Sequence, residues 1–209
     1  MRKYFSLYFS FIVLVLGICI STASAKSNPI DAKVIHIFEV SYEGECDTLD
    51  PTSNSGSPEP TIFQLSFNYG NEDSPPRLFR LYEFPCYRGA YNLSSVYYGA
   101  SEYDEVQQIH FAFPAYGVLY IDPDTNEVVD NIKVTGFTTY HALTNAFFDP
   151  DTLELTSFSK WRGLADASSS GVWTFIDGQF VLTYFDVDAS YDGEHNPRRI
   201  FDKREIPLR

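Results

Sequence analysis

The sequence predicts an all-β domain, an antiparallel sandwich or barrel-like fold with at most one short helix. Three observations carry that expectation. Short runs rich in Val, Ile, Thr, Tyr and Phe alternate apolar with polar residues, Pro, Gly, Asn and Asp separate them, and aromatic residues make up 17% of the chain. Alternation points to sheets because successive side chains of a strand leave on opposite faces.

The elements follow in order. Residues 26–32 read as a frayed leader, and VIHIFEV (34–40) reads as the first strand. TIFQLSFNY (61–69) and RLFRLYEF (77–84) alternate cleanly. QIHFAF (108–113), GVLYI (117–121), IKVTGF (132–137), ALTNAFF (142–148), LELTSFSKW (153–161), GVWTFI (171–176) and QFVLTYFDV (179–187) complete the set. Asp177-Gly178 predicts a tight hairpin, because Gly tolerates the positive φ of a type I′ turn. YIDPDTNEVV (120–129) and FFDPDTLELT (147–156) share D-P-D-T, where Pro presets φ and Asp caps nearby N–H groups, so both predict hairpin turns. Residues 44–60 and 70–76 are polar, Pro-rich loops. One short helix is expected in ASEYDEVQQ (100–108), with Ser101 as its cap.

Residues 1–25 have the makeup of a cleavable export signal. Arg2 and Lys3 precede an apolar run to Ile20, and Ala23 and Ala25 form a small-residue cleavage site. The run falls short of the roughly 20 apolar residues of a spanning helix, so no transmembrane segment is expected after processing. Cys19 echoes a lipoprotein site, but Ile18 before it is too bulky for that processing. Residues 26–209 then form a single domain in the periplasm or outside the cell. Without Arg2 and Lys3 the net charge moves from −13 to −15, which argues against nucleic acid and favours cationic partners. Cys46 and Cys86 are the pair left after cleavage, and in an exported protein such a pair predicts a disulfide.

No reactive motif emerges, and no cofactor or metal is expected. His36, His110, His141 and His195 lie at least 31 positions apart, whereas zinc sites usually draw two ligands from one short stretch. Asp188, Ser190, Asp192 and Gly193 space oxygens as a calcium loop does, but Arg199 stands where the bidentate Glu belongs. There is no G-x-S-x-G elbow. The many aromatics predict core and cross-strand pairs, a sugar-stacking platform being the minor alternative.

The run TGFTTYHALTNAFFDPDTLELTSFSKWRGLADASSSGVWTFIDGQFVLTYFDVDASYDGE (135–194) resembles the exported bacterial family known as domain of unknown function 1176. The matching pieces are FFDP (147–150), Lys160, Arg162, Gly163, Asp166, Trp173, Asp177-Gly178 and Phe180, with PCYRGAYN (85–92) upstream. Family members carry cysteines where this chain has Ala167 and Tyr191, two absences that imply a lost disulfide. The resemblance implies an exported β-rich protein and brings no activity.

The function expected is a non-enzymatic binding module of the bacterial cell envelope. It would take a protein or envelope ligand, inhibition of a cationic hydrolase being one form. The alternative is a hydrolase of a glycan or ester using two carboxylates gathered in space. A structural accessory with an unpaired edge or apolar patch is a third reading. Lys160 and Arg162, cations in an acidic protein, are the candidate binding residues, with Tyr91 and Asn92. The plainer role for Arg162 is to pair with Asp166.

Overall fold

The computed structural model describes residues 28–50, 52, 59–68, 75–101 and 105–205. The expected signal, 1–25, lies outside them. The fold is an antiparallel β-sandwich of three sheets, none closed into a barrel. The first sheet has the order β1 (Thr61–Phe67), β2 (Arg77–Arg88), β3 (Leu93–Ser101), β4 (Gln107–Gln108), and β7 (Ala142–Thr144) pairs with β3 farther along the same edge. The second runs β12 (Arg198–Asp202), β11 (Gln179–Asp188), β10 (Ser168–Ile176), β9 (Glu154–Lys160), β8 (Phe147–Asp149). β5 (Phe111–Tyr120) and β6 (Val129–Tyr140) form a separate long hairpin.

Period-two patterning places the core. On β2, Phe79 and Leu81 face the second sheet, while Tyr82, Phe84 and Cys86 face the other way. The inner layer joins the sheets through rings: Phe63 meets Phe148 at 4.9 Å, and Phe175 meets Phe79 at 4.9 Å and Phe67 at 5.5 Å. Trp173 sits fully buried at its centre, its indole N–H donating to the Ala112 carbonyl at 2.9 Å.

The outer face of the first sheet is covered by α1 (Pro29–Ser41), which corrects the strand expected at 34–40 and the frayed leader at 26–32. The local signals are those of a helix start. The Asn28 side chain accepts from the Ile30 N–H, Pro29 occupies the first turn, and Asp31 complements the dipole. Val34 and Phe38, one turn apart, bury against Phe84 and Tyr98. Asp31 also takes a bidentate bond from Arg80 and a 2.7 Å bond from the Tyr82 hydroxyl. The Cys46–Cys86 disulfide ties the loop after α1 to β2, as expected.

Other expectations change: QIHFAF and GVLYI largely merge into β5, and β12 adds a strand beyond those expected. β3 was not foreseen, because both its faces are covered and residues 95–101 are all buried, so no alternation survives. Its Gly99 leaves room for the Phe79 ring, whose Cζ an added Cβ would strike. The helix expected at 100–108 is absent among the described residues: Ser101 ends β3 and Gln107–Gln108 pairs with Tyr98 and Gly99. A helix of one or two turns is marginal in water, and strand pairing wins. ALTNAFF divides at Asn145, whose φ is +43°, into β7 and β8. The turns follow the sequence. Asp177 and Gly178 adopt φ of +50° and +86°, and both D-P-D-T segments close hairpins, Asp122 and Asp149 accepting from the N–H two residues on.

Candidate functional site

Strands β9 and β10 pair with Leu155 opposite Trp173, Ser157 opposite Gly171 and Ser159 opposite Ser169. Directly opposed residues share a face. Along this inner face the side chains therefore shrink from an indole to two hydroxymethyl groups. Gly171 marks the boundary, since a Cβ there would stand 2.5 Å from Trp173 Cη2 and 2.9 Å from Phe185 Cδ2. Beyond it the sheet has nothing large to offer the β5–β6 hairpin, and a cleft of about 640 Å³ opens between them. That volume is within the range of roughly 300–1,000 Å³ for small-ligand sites.

The opposite wall is aromatic and hydroxylated. Phe113 and Tyr116 come from β5, and Thr138 and Tyr140 from β6, with Tyr140 edge-on to Phe113 at 5.1 Å. Tyr140 is 55% exposed. Burial, reinforced by neighbouring Tyr120, Tyr140 and Tyr191, pushes the Tyr116 phenol up to about 12, so it stays a neutral donor at physiological pH. Some polar groups of the site are engaged: Ser157 Oγ donates to the Thr144 carbonyl at 2.9 Å, and Ser169 Oγ accepts from the Trp161 indole at 3.4 Å. The hydroxyls of Ser159, Thr138 and Tyr116 have no hydrogen-bond partner among the described residues. Among the described residues no charged side chain lines the cleft, in a chain that is 21% Asp, Glu, Lys and Arg. Among the described residues no pair of acids lines it either.

Lys160, Arg162, Tyr91 and Asn92 come together at the end of β9 next to Ser159. Asn92 donates to the Lys160 carbonyl at 2.8 Å and accepts from its N–H at 3.3 Å, and Asn145 donates to the Phe158 carbonyl at 3.0 Å. These two amides stand in for a neighbouring strand and blunt the edge of β9. The Tyr91 hydroxyl donates to the Trp161 carbonyl at 3.2 Å. Arg162 forms a two-pronged bond with buried Asp166, donates to the Tyr191 carbonyl at 3.0 Å and lies 5.2 Å over the Tyr191 ring. Asp166 also accepts from the Gly193 N–H at 2.9 Å. Arg162 beside it, helped by the Ala167 and Gly193 N–H groups, holds its carboxyl well below the usual carboxylate range. This clamp joins the segments containing Ala167 and Tyr191. The Lys160 ammonium makes no ion pair among the described residues.

Other candidates resolve as turns and packing. Asp188 is buried and accepts from the Ser190 N–H at 3.1 Å, from the Ser190 hydroxyl at 2.6 Å and from the Asn196 N–H, so its calcium-like spacing closes a loop. His110 and His141, 31 positions apart in sequence, lie 6.2 Å apart between ring centres because β5 and β6 pair at Phe111 and Tyr140. Among the described residues no group of three or more His, Cys, Asp and Glu could hold a metal ion. The cleft itself was missed in sequence. Its signal was the small residues at alternate positions of two adjacent strands, Ser157 and Ser159 against Ser169 and Gly171, visible only once the register is known.

Fold and site together define a class, a β-sandwich with a neutral, hydroxyl-lined cleft between its second sheet and a long hairpin. The chain belongs to the family described as protein of unknown function (DUF1176), which matches residues 78–195. That span contains every residue lining the cleft, while α1, β1 and β12 lie outside it. No curated protein and no solved structure matches the chain.

Proposed function

We propose that this protein is a non-enzymatic binding module of the bacterial cell envelope that holds an uncharged polar ligand in the cleft. The observation that carries the reading is the lining: hydroxyls and rings without one charge, on a protein of net charge −13. A charged ligand would lose its hydration there and gain no partner, a large penalty, whereas a neutral polar one exchanges water for hydroxyls. Absence of a carboxylate pair from the cleft favours capture over hydrolysis. The export signal read at 1–25 supports the compartment, and a mature N-terminus at Lys26, found by intact mass, is the expected result. Capture of a cationic protein, the inhibitor form, rests on the acidic balance and predicts salt-sensitive binding.

The test is a thermal-shift survey of uncharged against charged envelope compounds at two salt concentrations. Stabilisation by neutral compounds, unchanged by salt, is expected. Stabilisation only by charged compounds would overturn the cleft reading.

A further inference from the structure

The cleft presents the face of two paired strands, not an edge. Its floor is made of side chains, and the nearby β9 edge at Phe158 and Lys160 is already occupied by Asn145 and Asn92. An extended peptide binds by adding main-chain bonds to a free edge, and the β9 edge beside the cleft is closed. An acyl chain would leave the Ser159, Thr138 and Tyr116 hydroxyls buried without partners, each at a cost of about 1–3 kcal/mol. What remains is a ligand with hydroxyls along its rim and an apolar ring face. Tyr140, more than half exposed at the cleft wall, supplies the surface on which such a face stacks.

We propose that the cleft binds a neutral oligosaccharide, stacked on Tyr140 and hydrogen-bonded by Ser159, Thr138 and Tyr116. This rests on the binding-module reading and narrows it to one ligand class. Tyr116 donates, since its phenol stays protonated, and the aliphatic hydroxyls both donate and accept, which suits sugar hydroxyls that do the same. The sugar is held and released intact.

The experiment is calorimetric titration of the purified protein with uncharged oligosaccharides, namely maltohexaose, cellohexaose and fully N-acetylated chitopentaose, alongside an uncharged peptide pool. Saturable binding of at least one glycan is expected, weakened at least about tenfold by Tyr140→Ala and abolished by Thr138→Phe, which fills the cleft. Both positions are exposed, so unchanged circular dichroism and melting separate loss of the site from loss of fold. Glycan recovered intact after long incubation supports capture, and shortened products would overturn it. Binding of the peptide pool alone, blocked by Thr138→Phe, would sink the oligosaccharide assignment and leave the binding module standing. Binding by neither would remove both.

Discussion

The two ends of the β9–β10 ladder share strands, pairing and register, yet one is solid and the other hollow. At one end Leu155 and Trp173 fill the space under the hairpin, and Trp173 is fully buried. Two pairs farther along, Ser159 and Ser169 leave it open. Side-chain volume makes the difference along this pair, since the β9–β10 register runs unbroken through both ends. A hollow of this kind needs support from elsewhere. Here the Asn92 amide seals the β9 edge and the Arg162–Asp166 clamp fastens the loop beyond it. The outer face of the first sheet offers a second contrast, since there a helix and a disulfide join the rings of Phe38, Phe84 and Tyr98.

The sharpest way to break the comparison is Trp173→Ala. It should cost about 3–5 kcal/mol, read as a drop in urea midpoint, because the cavity lies in the packed half. A loss below about 1 kcal/mol would mean that both halves are equally loose. Replacing Cys46 and Cys86 by Ala should cost about 2–4 kcal/mol, through the entropy of the unfolded chain, while leaving the cleft's binding intact. Gly171→Ala tests the boundary itself. An added methyl meets the Trp173 and Phe185 rings, so a loss of about 1–3 kcal/mol is expected in the same denaturation assay.

Acid sharpens the account of the clamp. Arg162 depresses the Asp166 carboxyl in the folded state, so below the ordinary Asp value the unfolded chain binds the extra proton. The contribution is complete above about pH 4 and is lost as pH falls through the folded value. Urea midpoints between pH 6 and pH 2.5 should fall less in Asp166→Asn than in the parent. Part of the slope should persist, because Asp202, held low chiefly by Arg204, titrates in the same direction. The smallest effect belongs to the hollow half. Ser159→Ala should change stability by no more than about 0.5 kcal/mol and still weaken ligand binding. A large stability loss would show that Ser159 is packing after all.

Legibility followed the range of the forces involved. Asp177-Gly178 and the two D-P-D-T turns were readable because their chemistry lies within two or three residues. The Cys46–Cys86 pair was readable once Cys19 was assigned to the expected signal, since the other two cysteines leave one pairing. Residues 34–40 misled, since a β-branched and aromatic run favours a strand locally and packing against the sheet overrode that propensity. The start signals at Asn28, Pro29 and Asp31 were there to be used, but the face made by Val34 and Phe38 matters only against the sheet it covers. β3 was hidden for the opposite reason, with both faces buried and no period left to see. Lys160 and Arg162 stood out as cations in an acidic chain and Tyr91 and Asn92 through the upstream family match, but that the four meet is a property of the fold. Three of them secure the loop, a role that only the bonds reveal.

By itself the sequence determined the all-β class, the tight turns and the cysteine bridge, because alternation, positive-φ turn chemistry and the few cysteines beyond the expected signal are local or countable. Tertiary structure alone decided that a helix would close the outer face and that four small residues, Ser157, Ser159, Ser169 and Gly171, would line up across a strand pair to leave a neutral cleft. The physical reason is that a cavity belongs to the space between elements, and its size depends on which side chains the register sets opposite one another.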